Sequence, residues 1–337
     1  MALLNTESII GVAEEANIGG GHQSTWADTD VVPFMDDSGL TPATESLERS
    51  NFNGSFINCP ALTGNESTSG SLNVELSVKP VEGSEAGNLL GHLLFKSGLG
   101  TYVEQGADAS VADAISEEAD PSTNPTGYDL YRLARVGEPR TTLAVREYIG
   151  GAGDGVLDHK GVLVDSLSLD LSAGQIAMAN FSVSGIAYDP LTGETPLNAP
   201  TCGEDPFVVK SAIAKVDCVA IDMQSVSLEI SNTNTDRQAI NSTGISDKIT
   251  TAKAISLSYT LDMEDVSEYN TLKNNTKSEI YIELVNGTDE IKIYLPVVSY
   301  TEVSKNNDGG VITSNITSEG YNDDSGNAIY VATKKGA

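Results

Sequence analysis

The sequence predicts a mainly β chain: a tandem pair of β-sandwich domains, each flanked by a short helix. Three observations carry this. First, residues 161–185 read GVLVDSLSLDLSAGQIAMANFSVSG. Leu163, Leu167, Leu169 and Leu171 alternate with Asp165, Ser166, Ser168 and Asp170. Ser172, Ala173, Gly174 and Gln175 supply a turn, and Ala177, Ala179, Phe181 and Val183 return against Asn180, Ser182 and Ser184. Period-two alternation broken by a Gly-containing turn specifies a half-buried antiparallel hairpin. Second, a Pro-, Gly- and Thr-rich stretch over 188–207 marks a linker, after which a similar order of elements recurs. Third, helical spacing is confined to two short stretches, 85–96 and 265–273.

Taken in order, 1–37 is expected to be an extended N-terminal arm. Residues 1–48 hold nine acids and no Lys or Arg. Trp26, Val31, Val32 and Phe34 are the bulky anchors by which the arm docks, and Gly19-Gly20-Gly21 gives it flexibility. The first β domain is placed at 38–188. Residues 46–48 and 52–57 read as strand, and 70–76 as a clear alternating strand. After a break at 80–83, Leu89, Leu90, Leu93 and Leu94 give the helix, with Ser84 as N-cap and Gly98 as its stop. A polar stretch over 100–127 again lacks Lys and Arg, and loops of that length are usually functional or disordered. Strands return over 128–149 and lead into the hairpin.

The linker is placed at 189–217 and the second β domain at 218–337. Ser227-Leu228-Glu229 echoes Ser46-Leu47-Glu48, and 255–261 echoes the strand at 70–76. Residues 265–273 sit where the Leu-rich helix sat. Residues 279–285 pair through Asn286-Gly287 with 291–295, and 298–303, a turn at 306–310 and 311–320 echo the 161–185 hairpin.

The 337 residues suffice for one large core or two ordinary ones. A formal net charge of −29 excludes a protein that grips nucleic acid by neutralising phosphates. It is compatible with a channel. Cys59, Cys202 and Cys218 imply no disulfide framework. The first residues lack the basic region and apolar run of a signal peptide, and no apolar run approaches the ~20 residues of a membrane span. His22, His92 and His159 have no partners at metal-ligand spacing, and His92 reads as a packing residue. Asp36-Asp37 and Asp323-Asp324 read as solvated turn acids. No nucleophile elbow, phosphate-binding loop or tuned acid–base pair is visible. We therefore expect no enzyme: no catalytic, cofactor-binding or metal residues, and no cofactor.

The stretches GVAEEANIG, PFMDDSGLTPATESLERSN, GSLNVEL, GNLLGHLLF and above all GVLVDSLSLDLSAGQIAMANFSVSG resemble the tail tube (major tail) proteins of long-tailed bacteriophages. So do VSLEISN, AISLSYTLDM, EIKIYLPVVSY and AIYVATK in the second half. The resemblance covers nearly the whole chain. It implies tail-tube-type β-sandwiches, self-association into rings by edge-to-edge strand pairing, and a long loop and arm linking stacked rings. It also implies a virion protein assembled in the host cytoplasm with other tail proteins, whose lumen DNA crosses without specific binding and which engages no membrane. Single-domain tubes of this family close with six domains, so three chains are expected, a trimer with pseudo-sixfold symmetry rather than a hexamer. The competing reading is a receptor- or carbohydrate-binding β module of a tail tip or adhesin. That reading calls for aromatics clustered on loops, whereas they are 6% of residues and scattered.

Overall fold

The computed structural model describes residues 8–22, 25–49, 59–80, 87–103, 128–134, 138, 140–151, 155–200, 205–210, 212–238, 245–263, 265–308, 310–324 and 326–335. The expected strand at 52–57, the helix cap at Ser84 and most of the polar stretch at 100–127 lie outside the described residues.

The chain is mainly β, as expected. The first half contains β1 (Ile9–Glu14), β2 (Gly39–Arg49), β3 (Cys59–Glu75), β4 (Val78–Pro80), β5 (Gly87–Leu89) and α1 (His92–Leu99). It continues through β6 (Gly100–Val103), β7 (Asp129–Leu133), β8 (Leu143–Tyr148), β9 (Val156–Ser172), β10 (Met178–Gly185) and β11 (Ala187–Leu191). The second half contains β12 (Ile213–Val216), β13 (Val219–Ala220), β14 (Met223–Gln238), β15 (Ile245–Asp262) and α2 (Ser267–Asn274). β16 (Lys277–Asn286), β17 (Asp289–Asp308), β18 (Val311–Gly320) and β19 (Tyr330–Lys334) complete it.

The long strand β9 serves two neighbourhoods. Its first part runs between β8 and β11, and its last part between β10 and β14. Gly161 marks the change, with φ of +60° and the Ile186 side chain 2.6 Å from where a Cβ would stand. A second irregularity follows, where Ser182 and Val183 skip past Asp165. The apolar set read from the sequence points inward: Leu167, Leu169, Leu171, Ala179, Phe181 and Val183 are all buried. Burial at roughly 25 cal/mol per Å² makes such a face the main stabilising term. One apolar cluster runs through both halves, taking in Leu72, Phe95, Leu169, Phe181, Leu228, Leu257 and Ile293.

Several local expectations are corrected. The helix expected over 85–96 begins only at His92. Residues Gly87–Leu89 pair instead with Val78–Pro80, and Gly91 turns the chain in the left-handed region. Gly98 lies inside the helix, 3.3 Å from Val164 at its would-be Cβ, and the stop is Gly100 at φ +105°. The second helix falls where the sequence placed it. Within 1–37, Ile9–Glu14 is a ladder strand on β8, because Ile9, Ile10, Val12 and Ala13 are all buried. Val31 bridges Gly11 and is buried, and Trp26 lies against Gly11 and under Arg146, so the anchors read from the sequence do dock. Gly19 and Gly21 are not a flexible run. Their N–H groups donate to the buried Glu15 carboxylate, which also accepts from Gly161.

Candidate functional site: a continuous polar sheet face and its open edges

The two halves meet strand to strand. β14 pairs with β9 in antiparallel register from Ser225 opposite Ser172 to Ser231 opposite Ser166. β7 of the first half also pairs with β19. Side chains of the β14–β15 hairpin seal the junction. Asn232 Nδ2 donates to the carbonyls of Gly98 (2.9 Å) and Val164 (3.1 Å). Lys253 Nζ donates to the carbonyls of Gly98 and Leu99 at the C-terminal end of α1, where a cation complements the helix dipole. Burial pulls this ammonium down to about 8.

Because successive residues alternate faces, the ladder fixes one polar surface across the junction. Asn73, Asn180, Ser168, Glu229, Ser256 and Glu319 form one row over six strands. Glu75, Met178, Asp170, Ser227, Ser258 and Thr317 form the next. Neither row contains Lys or Arg. Asp170 joins the halves on this face, accepting from Asn180 Nδ2 and Ser227 Oγ, each at 2.8 Å.

Both halves use one pairing scheme. The first half pairs β1–β8, β8–β9, β9–β11, β9–β10, β10–β3 and β3–β2. The second pairs β12–β16, β16–β17, β17–β19, β17–β18, β18–β15 and β15–β14. Irregularities coincide too. The extra residue of β9 opposite β10, Asp165, corresponds to Thr301 of β17 opposite β18. The extra residue opposite β8, at Lys160 or Gly161, corresponds to Pro296 or Val297 opposite β16. This register equates Gly39 with Ser227 and Leu40 with Leu228. The sequence echo between 46–48 and 227–229 is therefore out of step.

Edges remain. β2 pairs with β3 alone, and the part of β17 from Tyr300 to Asp308, beyond its pairing with β16 at Val298 and Ser299, pairs with β18 alone, among the described residues.

Groups weighed as chemistry are absorbed into structure. His92 Nδ1 bonds the Tyr131 hydroxyl at 2.7 Å and its ring meets Tyr102 edge-on, and burial lowers its pKa to about 4. It is a packing residue, as read. His159 is fully buried on Thr68 Oγ1, and the His22 ring lies tilted against Trp26. Asp36 and Asp37 are exposed in a turn, while Asp323 accepts from the Asn327 N–H and the Tyr330 hydroxyl. Among the described residues, no three His, Cys, Asp or Glu side chains gather as a metal site. Arg146 is held by Asp158 and Glu194, Arg132 by Glu138, and Arg140 by Asp247. These arginines are thus engaged within the chain. Tyr321 is the one exposed aromatic among the described residues, which gives no aromatic loop cluster for sugar binding.

A strand-built chain whose distinguishing features are a broad polar sheet face and open sheet edges belongs with structural β proteins. The family described as phage tail tube protein matches residues 7–325, and the chain belongs to that family. Comparison with curated proteins finds no match. The family is a structural, non-enzymatic one, and membership in it implies a component of the phage virion tail that self-assembles into a tube and associates with other tail proteins.

Proposed function

We propose that each chain is two tail-tube domains, 38–188 extended by strands β1 and β11 and 218–337 extended by strand β12, joined by the rest of the 189–217 linker, and that three chains close one ring. Such a trimer has pseudo-sixfold symmetry. Stacked rings form the tube through which DNA is ejected, assembled in the host cytoplasm. The observation that carries this is the shared pairing scheme of the two halves, joined so that eight strands form one sheet arc: β2, β3, β10, β9, β14, β15, β18 and β17. Three arcs give about 24 strands, wider than the roughly 16–18-stranded barrels that already enclose a water-filled channel.

The polar face then lines the lumen. Its Ser, Asn and Thr side chains stay hydrated, and its carboxylates repel phosphate, so DNA slides past without specific binding. A tube cross-section by electron microscopy tests the ring: three chains per ring with two similar lobes each are expected, and six chains would overturn it. For the lumen, Ser168→Lys with Asn180→Lys is expected to leave tubes intact but slow ejection. Unchanged ejection kinetics would overturn the lumen assignment.

A further inference from the structure

Strand β9 of the first half ends its sheet only in the sense that β14 of the second half continues it. The counterpart of β9 is β17, and the counterpart of β14 is β2. Both counterparts carry an edge with no second strand among the described residues. We propose that β2 of a second copy docks on β17 in the register that the chain already uses at its own junction. This deepens the ring reading and rests on it.

Transferring Ser166 opposite Ser231, Ser168 opposite Glu229 and Asp170 opposite Ser227 through the matched irregularities gives the contact. Glu302 faces Ala43 of the second copy, Ser304 faces Thr41 and Asn306 faces Gly39. Lys305 faces Leu40 on the opposite side of the sheet. No two carboxylates stand directly opposite, which would destabilise a ladder.

Three further features fit this edge. At the internal junction the Leu228 position is bonded into the β9 ladder, whereas Leu40 N–H is held at 2.6 Å by the Glu147 carboxylate. Glu147 thus occupies the place that the Lys305 carbonyl takes on docking, and it blunts an otherwise open edge. Leu47 and Leu62, paired near the hairpin end, are 46% and 56% exposed. On the corresponding β14–β15 hairpin it is Asn232 and Lys253 that reach the C-terminal end of α1. Finally, α1 buries Leu94, Phe95, Gly98 and Leu99 under that junction, while α2, its counterpart, has no fully buried residue. A second copy's β2–β3 hairpin would cover it.

Ser304 and Thr41 would form a non-hydrogen-bonded antiparallel pair, close enough for a disulfide. With Cys59, Cys202 and Cys218 changed to Ser, Ser304→Cys with Thr41→Cys should crosslink different chains in assembled tubes, in a ladder ending at three. Ser304→Cys with Ala43→Cys, one pair out of register, should not. Tubes that crosslink at the offset pair, or at neither, overturn the register while leaving the tube reading intact. Wild-type protein that forms no rings or tubes overturns both. In case the cysteine variants fail to assemble, hydrogen exchange on the wild type decides. Assembly should slow exchange at Val303, Lys305 and Leu40, and equal exchange in free and assembled protein overturns the proposal.

Discussion

Leu169 of β9 stands directly opposite Leu228 of β14, and each is only 1% exposed. One cross-strand pair thus belongs at once to the core and to the seam between the halves. Leu169→Asp is expected to be far more damaging than Ser168→Asp, because an unpaired carboxylate in that position costs several kcal/mol. Ser168 points to the polar face. Thermal melting of the two variants checks this, and equal melting would mean the strand phase is wrong.

The Arg146 guanidinium is held by Asp158 at 3.0 Å and Glu194 at 3.0 Å, over the Trp26 ring. Arg146→Met strands the Asp158 carboxylate, which is itself buried. Breaking such a pair from one side typically costs about 3–5 kcal/mol. Chemical denaturation of Arg146→Met against Arg146→Met with Asp158→Leu should show the double variant recovering part of the loss.

Gly161→Ala places a methyl 2.6 Å from Ile186 Cγ1 in a left-handed backbone. Strain of this kind costs of order 1–3 kcal/mol. The melting temperature should fall, and the loss caused by Gly161→Ala should be smaller in an Ile186→Ala background, which lacks both Cγ1 and Cδ1.

His92 has a folded-state pKa lowered to about 4 by burial, against an ordinary value near 6.5. The unfolded chain therefore binds the proton first as pH falls, so the His92 contribution is whole above about 6.5 and is lost on the way down to about 4. Stability measured across that window should fall less steeply in His92→Gln than in the wild type.

Much of this molecule could be read before it was seen. The 161–185 hairpin was legible because every second residue from Leu167 to Leu171 is leucine and the intervening ones are Ser or Asp. Period-two contrast of that strength survives any tertiary context. The hairpin through Asn286-Gly287 was legible for the same reason plus its turn chemistry. Strand β1 was not, since Ile9-Ile10-Gly11-Val12-Ala13 is a short apolar run without alternation, buried on both faces. The start of α1 was missed because Leu89 and Leu90 match helical spacing as well as they match the short β4–β5 ladder. The internal echo was seen in order but misregistered by the Ser-Leu-Glu likeness. Register is set by bulges such as Asp165 and Thr301, which leave little trace in residue type. The polar face was invisible for a related reason: its rows run across strands, joining residues far apart in the chain.

The β9–β14 junction also settles something about shape before any two copies meet. The angle between the halves is built in when one chain folds, with Asn232 and Lys253 pinning the hairpin to α1. In the ring proposed above, each subunit would be a sample of the finished arc, with the curvature written into the monomer rather than negotiated at assembly. If every further contact repeats that angle, lobes can only be added in twos, and a ring with an odd number of lobes has no way to form.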